Sequence, residues 1–129
     1  GRLADRFGPG RSGAAATLLA AASLAALSIP DHWLPLGLIW IVVGGSSVGV
    51  ITALGNLAAT AVTANRSGAL SASMAFRFFG HALGPVFWVP VFSRSAAWAF
   101  GGAGLLGCVA ALLFAGLSRP APAQPTARS

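Results

Sequence analysis

Four long apolar stretches, separated by short polar breaks, make up nearly all of this 129-residue chain. Hydrophobic residues account for 56% of the sequence and charged residues for 8%, against about 45–50% and about 25% in ordinary soluble domains. So few charges cannot solvate a globule of this size, and so much apolar surface cannot remain in water as a disordered chain. The composition therefore predicts an all-α membrane protein, in which helices satisfy the backbone polar groups.

The polar breaks divide the chain into a loop, four expected transmembrane helices and a tail. A spanning helix needs about 17–25 predominantly apolar residues, and each apolar stretch reaches or exceeds the lower limit. The tail is rich in proline and small polar residues, which predicts a disordered end. The expected segments are a loop at 1–12, helices at about 13–29, 34–63, 69–92 and 96–117, and a tail at 118–129.

The arginines predict the orientation of these helices in the cell membrane. The net charge of +6 comes from arginines scattered singly between apolar stretches, which indicates membrane topology and not nucleic-acid binding. With four crossings, the loop 1–12, the break after the second helix and the tail share one side, and the positive-inside rule makes it cytoplasmic. On the opposite side of the membrane the only flanking arginine is Arg94. The flanking arginines on the cytoplasmic side are Arg2, Arg6, Arg11, Arg66, Arg119 and Arg128.

The opening segment reads Gly-Arg-Leu-Ala-Asp-Arg-Phe-Gly and carries the most specific pattern in the chain. Its last glycine permits a positive φ in a tight turn, and Asp5 suits the positive N-terminal end of a neighbouring helix. The segment resembles the G-x-L-a-D-r-x-G loop of the major facilitator superfamily, which implies a conformational role for Gly1, Asp5, Arg6 and Gly8. Members usually continue with a basic run, whereas here only Arg11 follows. An ordinary turn with flanking arginines is the alternative.

A second pattern ends in Gly80, Gly84 and Pro85 of the expected third helix. It resembles the R-G-x-x-x-S … R-x-x-G-x-x-x-G-P pattern of the fifth helix of a superfamily half. Glycines four residues apart let another helix pack closely, and an internal proline removes a hydrogen bond and permits a kink. Gly45 and Gly49 repeat the glycine spacing in the second helix. These residues are expected to serve helix packing and bending, either in a rocking transporter helix or as packing alone.

Arg77 and His81 are the candidate residues of a transport path, together with Asn56. Arg77 is the only strongly charged residue well inside an expected span, and His81 lies one turn further on the same face. A charge at that depth faces the bundle interior or a water-filled cavity, or snorkels to the interface. In a path, the pair would contact an anionic group or a coupling carboxylate; otherwise Arg77 snorkels and His81 is a packing residue. Asn56 contacts either substrate or a neighbouring helix.

The superfamily resemblance covers essentially the whole chain and favours helices nine to twelve of a twelve-helix bundle over helices three to six. The expected second helix lacks the arginine usual in the fourth helix of the family, and the tail is short. The chain begins at Gly1 without an initiator Met, so a longer protein with an N-terminal half is expected.

The resemblance implies a secondary active transporter that moves a small solute by alternating access, with the lipid bilayer, the other half and the solute as partners. The third helix favours an exporter of drugs or metabolites, for which proton coupling is an option; an importer of sugars or organic acids would leave much the same pattern. A non-transporting four-helix membrane scaffold or assembly protein is the alternative from another class. No catalytic constellation, metal cluster or phosphate-binding loop appears in the sequence, so neither an enzyme nor a cofactor is expected. The single cysteine, Cys108, is expected to be a packed, inert thiol.

Overall fold

The computed structural model describes residues 7–29, 32–62 and 64–117. The regular structure in these ranges is entirely helical, which confirms the predicted all-α class. The loop residues Gly1, Asp5 and Arg6 and the tail after residue 117 lie outside the described residues. The four long helices are α1 (Pro9–Ala26), α2 (Trp33–Ala61), α3 (Arg66–Arg94) and α4 (Ala96–Leu117).

Capping residues explain why two helices begin earlier than their apolar stretches. α1 begins at Pro9 and not at residue 13, because Gly8 takes φ +80° and proline suits the first helical position. It includes Ser12, whose hydroxyl donates to the Gly8 carbonyl at 2.8 Å. α3 begins at Arg66 and not at residue 69, because the Asn65 side chain accepts from the Gly68 N–H at 3.0 Å. The bounds of α4 match the prediction.

α1 packs against both α4 and α2 through small side chains. Ala21, 2% exposed, faces Gly107 of α4 so closely that a Cβ on this glycine would lie 2.7 Å from the Ala21 Cβ. A Cβ on Gly13 would similarly lie 2.7 Å from the Phe114 ring of α4 and 2.9 Å from the Ala53 Cβ of α2. Glycine and alanine at these positions allow the backbones to approach closely, which is how helices associate in lipid.

α3 is attached to the bundle much more lightly than the other helices, and it buries none of its residues. Near its N-terminal end, Leu70 Cδ2 lies 4.0 Å from where a Cβ on Gly55 of α2 would be. Near its C-terminal end, Phe92 meets Phe100 of α4 edge to face, with ring centroids 5.7 Å apart. The packed core is therefore formed by α1, α2 and α4, with α3 alongside.

Two of the helices are long and apolar enough to cross a membrane by length and composition, α2 over Trp33–Ala61 and α4 over Ala96–Gly116. Only 11% and 17% of the residues in their apolar windows are buried, unlike the core helix of a soluble protein. Among the described residues, α1 and α3 do not reach this apolarity, although four spans are predicted. Arg11 lowers the hydropathy of the shorter α1, and Arg77 lowers that of α3.

Candidate functional site

One face of α3 carries both its contacts with the bundle and its predicted functional residues. Leu70 and Trp88 are eighteen positions apart, about five turns at about 3.6 residues per turn, so they project from the same side of the helix. Arg77, His81 and Gly84 fall within about 40° of this direction by the same count. These five residues are named the inner stripe of α3. Arg77 and His81 therefore lie on the side of α3 that meets the bundle.

The centre of the inner stripe stands clear of the other helices. At its C-terminal end, Trp88 reaches α4, where its ring lies 3.3 Å from the position of a Cβ on Gly102. Between the two ends, Arg77 and His81 are both exposed, and a Cβ on Gly84 would meet nothing within 4 Å. α3 thus touches the bundle at both ends of the stripe, while Arg77 and His81 between these ends are exposed.

A hydrogen bond to the helix backbone fixes the His81 ring. Its Nδ1 lies 2.8 Å from the Arg77 carbonyl oxygen. Since a carbonyl can only accept, Nδ1 carries the proton and donates it. The other ring nitrogen, Nε2, is therefore left to accept a hydrogen bond when the ring is neutral and to donate one when it is protonated.

The Arg77 guanidinium has no carboxylate partner within the described part of the chain. Both acidic residues of the sequence, Asp5 and Asp31, lie outside the described ranges. A charged group in an apolar environment is costly unless it is paired or hydrated. Guanidinium groups bind carboxylates and phosphates, so Arg77 is a candidate anion-binding residue.

The opposite face of α3 is apolar. Phe79 lies nine positions from Leu70, about two and a half turns, and so projects from the far side. Phe79 and Val86, its neighbour on that side, are 63% and 64% exposed. Arg77 and His81 thus lie on the bundle side of α3, between Leu70 and Trp88, and the side away from the bundle is apolar.

Asn56 is not brought together with Arg77 and His81. It follows Gly55, the residue of α2 that meets Leu70, so it lies at the level of Leu70. Arg77 is seven residues further along α3, about 10 Å at 1.5 Å per residue. Asn56 is exposed, and its carbonyl accepts from the Thr60 hydroxyl at 2.9 Å.

The predicted packing glycines occupy different environments. Gly49 faces α1, where a Cβ on it would lie 3.0 Å from the Ala16 Cβ. Gly45, Gly80 and Gly84 have nothing within 4 Å of a Cβ position, so none of them forms a close helix contact within the described chain. Pro85 lies inside α3, which continues through it to Arg94.

The structure also shows features that the sequence reading missed. A cleft of about 720 Å³ lies between α1 and α2 and includes Arg11, which the sequence marked only as a topology signal. The sequence signal that could have indicated this cleft is the helical spacing of small residues in both helices, such as Ala15 in α1 and Gly45 in α2. Cys108 is exposed, contrary to the packed thiol expected from its apolar surroundings, because apolar side chains in this chain mostly face outward.

No group of three or more His, Cys, Asp or Glu residues within the described ranges is placed to hold a metal ion. No protein-family model, curated protein or solved structure matches the chain.

Proposed function

We propose that this chain is part of a secondary active transporter that moves a small solute by alternating access, and that the centre of α3 lines the solute path. The observation that supports this proposal best is the inner stripe of α3. Its ends contact the bundle, while Arg77 and His81 at its centre are exposed. Water or a polar solute around these side chains would offset the cost of a charge inside a membrane helix.

The proposed location is the cell membrane, with four crossings and with residues 1–12 and the tail in the cytoplasm. The exposed apolar surface of α2 and α4 supports a lipid environment, because large contiguous apolar surface is rare on soluble monomers. Trp33 is the first residue of α2 and Trp98 lies in the first turn of α4, and the two side chains are 81% and 77% exposed. Tryptophan favours the membrane interface, which fits an outer position for both helix starts.

The resemblance to the major facilitator superfamily supports the alternating-access mechanism and an N-terminal half as partner. Such transporters bind solute between two repeated halves near the middle of the bilayer. The proposed direction is export of drugs or metabolites. In the alternative, a membrane scaffold, the inner stripe would be covered by a partner protein and would be dry.

Cysteine accessibility separates a hydrated path from a dry packing face. In a Cys108→Ser background, His81→Cys and Gly84→Cys place thiols on the inner stripe, while Phe79→Cys and Val86→Cys place matched thiols on the opposite face. A hydrophilic, membrane-impermeant maleimide is expected to label the first pair in membrane vesicles and to leave the second pair unlabelled, because the reagent enters water-filled space and not lipid.

Absence of labelling at both inner positions, with normal membrane insertion, would overturn the transport path and favour the scaffold. Equal labelling of both faces would show that α3 lies in water and would remove the membrane placement of this helix. Sequencing the reading frame upstream of the codon for Gly1 tests the resemblance to the superfamily. The remaining helices of a twelve-helix bundle are expected there, with a second loop of the G-x-L-a-D type.

A further inference from the structure

The cleft between α1 and α2 is apolar along its length and cationic at one end. The two helices run antiparallel there, since Gly49 lies opposite Ala16 and Ala53 lies opposite Gly13. Its α1 side runs from Arg11 to Leu19, about 12 Å along the helix, and its α2 side runs from Val42 to Gly49. Arg11 is therefore near the end of the cleft away from Val42, where Phe7 also lines the cleft.

Among the described residues, Arg11 is the only basic side chain that lines the cleft. The hydroxyl groups of the cleft already donate hydrogen bonds to backbone carbonyls of the same segment. The Ser12 hydroxyl donates to the Gly8 carbonyl at 2.8 Å, and the Ser46 hydroxyl donates to the Val42 carbonyl at 2.7 Å. No carboxylate among the described residues neutralises Arg11, because Asp5 and Asp31 lie outside them. The cleft thus complements a molecule with a long apolar part and an anionic group at one end.

We infer that this cleft binds an anionic phospholipid, with an acyl chain between α1 and α2 and the phosphate at Arg11. The volume of about 720 Å³ falls within the range of about 300–1,000 Å³ typical of ligand sites. Arg11 is in the first turn of α1, two residues after its start, so a membrane placement of α1 puts the guanidinium at headgroup level, where basic pockets between helices recognise anionic lipids. This inference depends on the membrane location proposed above, and the site is separate from the inner stripe of α3.

Native mass spectrometry of the detergent-purified chain, incubated with equimolar phosphatidylcholine and phosphatidylglycerol, measures which lipid is retained. The wild-type chain is expected to retain phosphatidylglycerol preferentially. Arg11→Gln is expected to reduce that preference about fivefold, the effect of about 1 kcal/mol for one arginine near an anionic lipid. Arg94→Gln, at the end of α3 and outside the cleft, removes the same charge and is expected to leave the preference unchanged.

A second pair of variants tests the cleft independently of charge. Gly45 and Gly44 are neighbours, and neither has anything within 4 Å of a Cβ position, but only Gly45 lines the cleft. Gly45→Leu is expected to reduce retention of both lipids by filling the cleft, while Gly44→Leu is not.

Equal losses in Arg11→Gln and Arg94→Gln would attribute lipid preference to overall charge and overturn the site. Equal retention in Gly45→Leu and Gly44→Leu would show that the acyl chain lies elsewhere. Recovery of each variant in the membrane fraction is measured in parallel, so a failure of the proposed membrane location is distinguished from a failure of the lipid site.

Discussion

Individual glycines have opposite roles in this molecule, and the role depends on what each one faces. Gly107 and Gly13 are places where a Cβ would come closer than 3.0 Å to another helix, so they set the distance between α1 and its neighbours. Gly80 and Gly84 have the spacing that usually marks a packing face, yet no other described helix approaches them. The spacing of glycines in the sequence shows that a helix has a face of small residues. It does not show which of these faces pack against each other, because that depends on the relative positions of whole helices.

Gly107→Ala is expected to destabilise the chain by about 1–3 kcal/mol, because the added Cβ would lie 2.7 Å from the Ala21 Cβ and overpack the α1–α4 contact. Gly101→Ala in the same helix is the matched control. Nothing lies within 4 Å of its Cβ position, so the better helix propensity of alanine should leave stability unchanged or raise it. Thermal unfolding in detergent measures both. Similar midpoints for the two variants would contradict the close contact.

At the scale of elements, α3 differs from the other helices in both attachment and composition. It is held near its ends, by Leu70 on α2 and by Trp88 and Phe92 on α4, and it contains two internal prolines, Pro85 and Pro90. Each proline lacks the N–H that would bond to the carbonyl four residues earlier. The sequence predicted this helix, the face that Arg77 and His81 share, and the position of Pro85 inside the helix. Its light attachment was not predictable, since it depends on how α2 and α4 pack against α1.

Replacement of Pro85 by alanine is expected to stiffen α3. The new N–H can bond to the His81 carbonyl, and removal of a helix-interior proline is worth up to about 3 kcal/mol. Amide hydrogen exchange across residues 80–86 should slow. Pro35→Ala is the control, because Pro35 is in the first turn of α2, where its N–H has no helical partner. Unchanged exchange in Pro85→Ala would mean that this proline does not loosen the helix.

At the scale of the whole molecule, the fold turns apolar side chains outward and small ones inward. The buried residues include alanines, Ser23, Ser46 and Thr17, whereas Trp40, Ile41 and Leu112 are exposed. The composition agrees with this arrangement, because a chain with 8% charged residues cannot cover its surface with charged side chains. The candidate site was predictable only in part. The helical period placed Arg77 and His81 together, but the separation of Asn56 from them and the cleft at Arg11 depend on packing between helices.

The number of membrane crossings is open to a direct test with alkaline phosphatase fusions, which are active only outside the cytoplasm. With four crossings, fusions after Asn65 and after Gly116 are expected to be inactive, and a fusion after Ser95 is expected to be active. If only α2 and α4 cross, Asn65 and Ser95 lie on the same side and their fusions behave alike. Equal activity at these two positions would therefore contradict a transmembrane α3, independently of the lipid and labelling experiments.

The most extensive packing in the bundle joins its first and last long helices, α1 and α4. This arrangement has a consequence for biosynthesis. While the ribosome is still translating α2 and α3, the surface around Gly13 and Ala21 lacks the helix that covers it, and only the emergence of α4 supplies Phe114 and Gly107. A nascent chain that stalls before α4 would expose this surface to the insertion machinery and to quality-control proteases, so retention of α1 is expected to depend on the synthesis of α4.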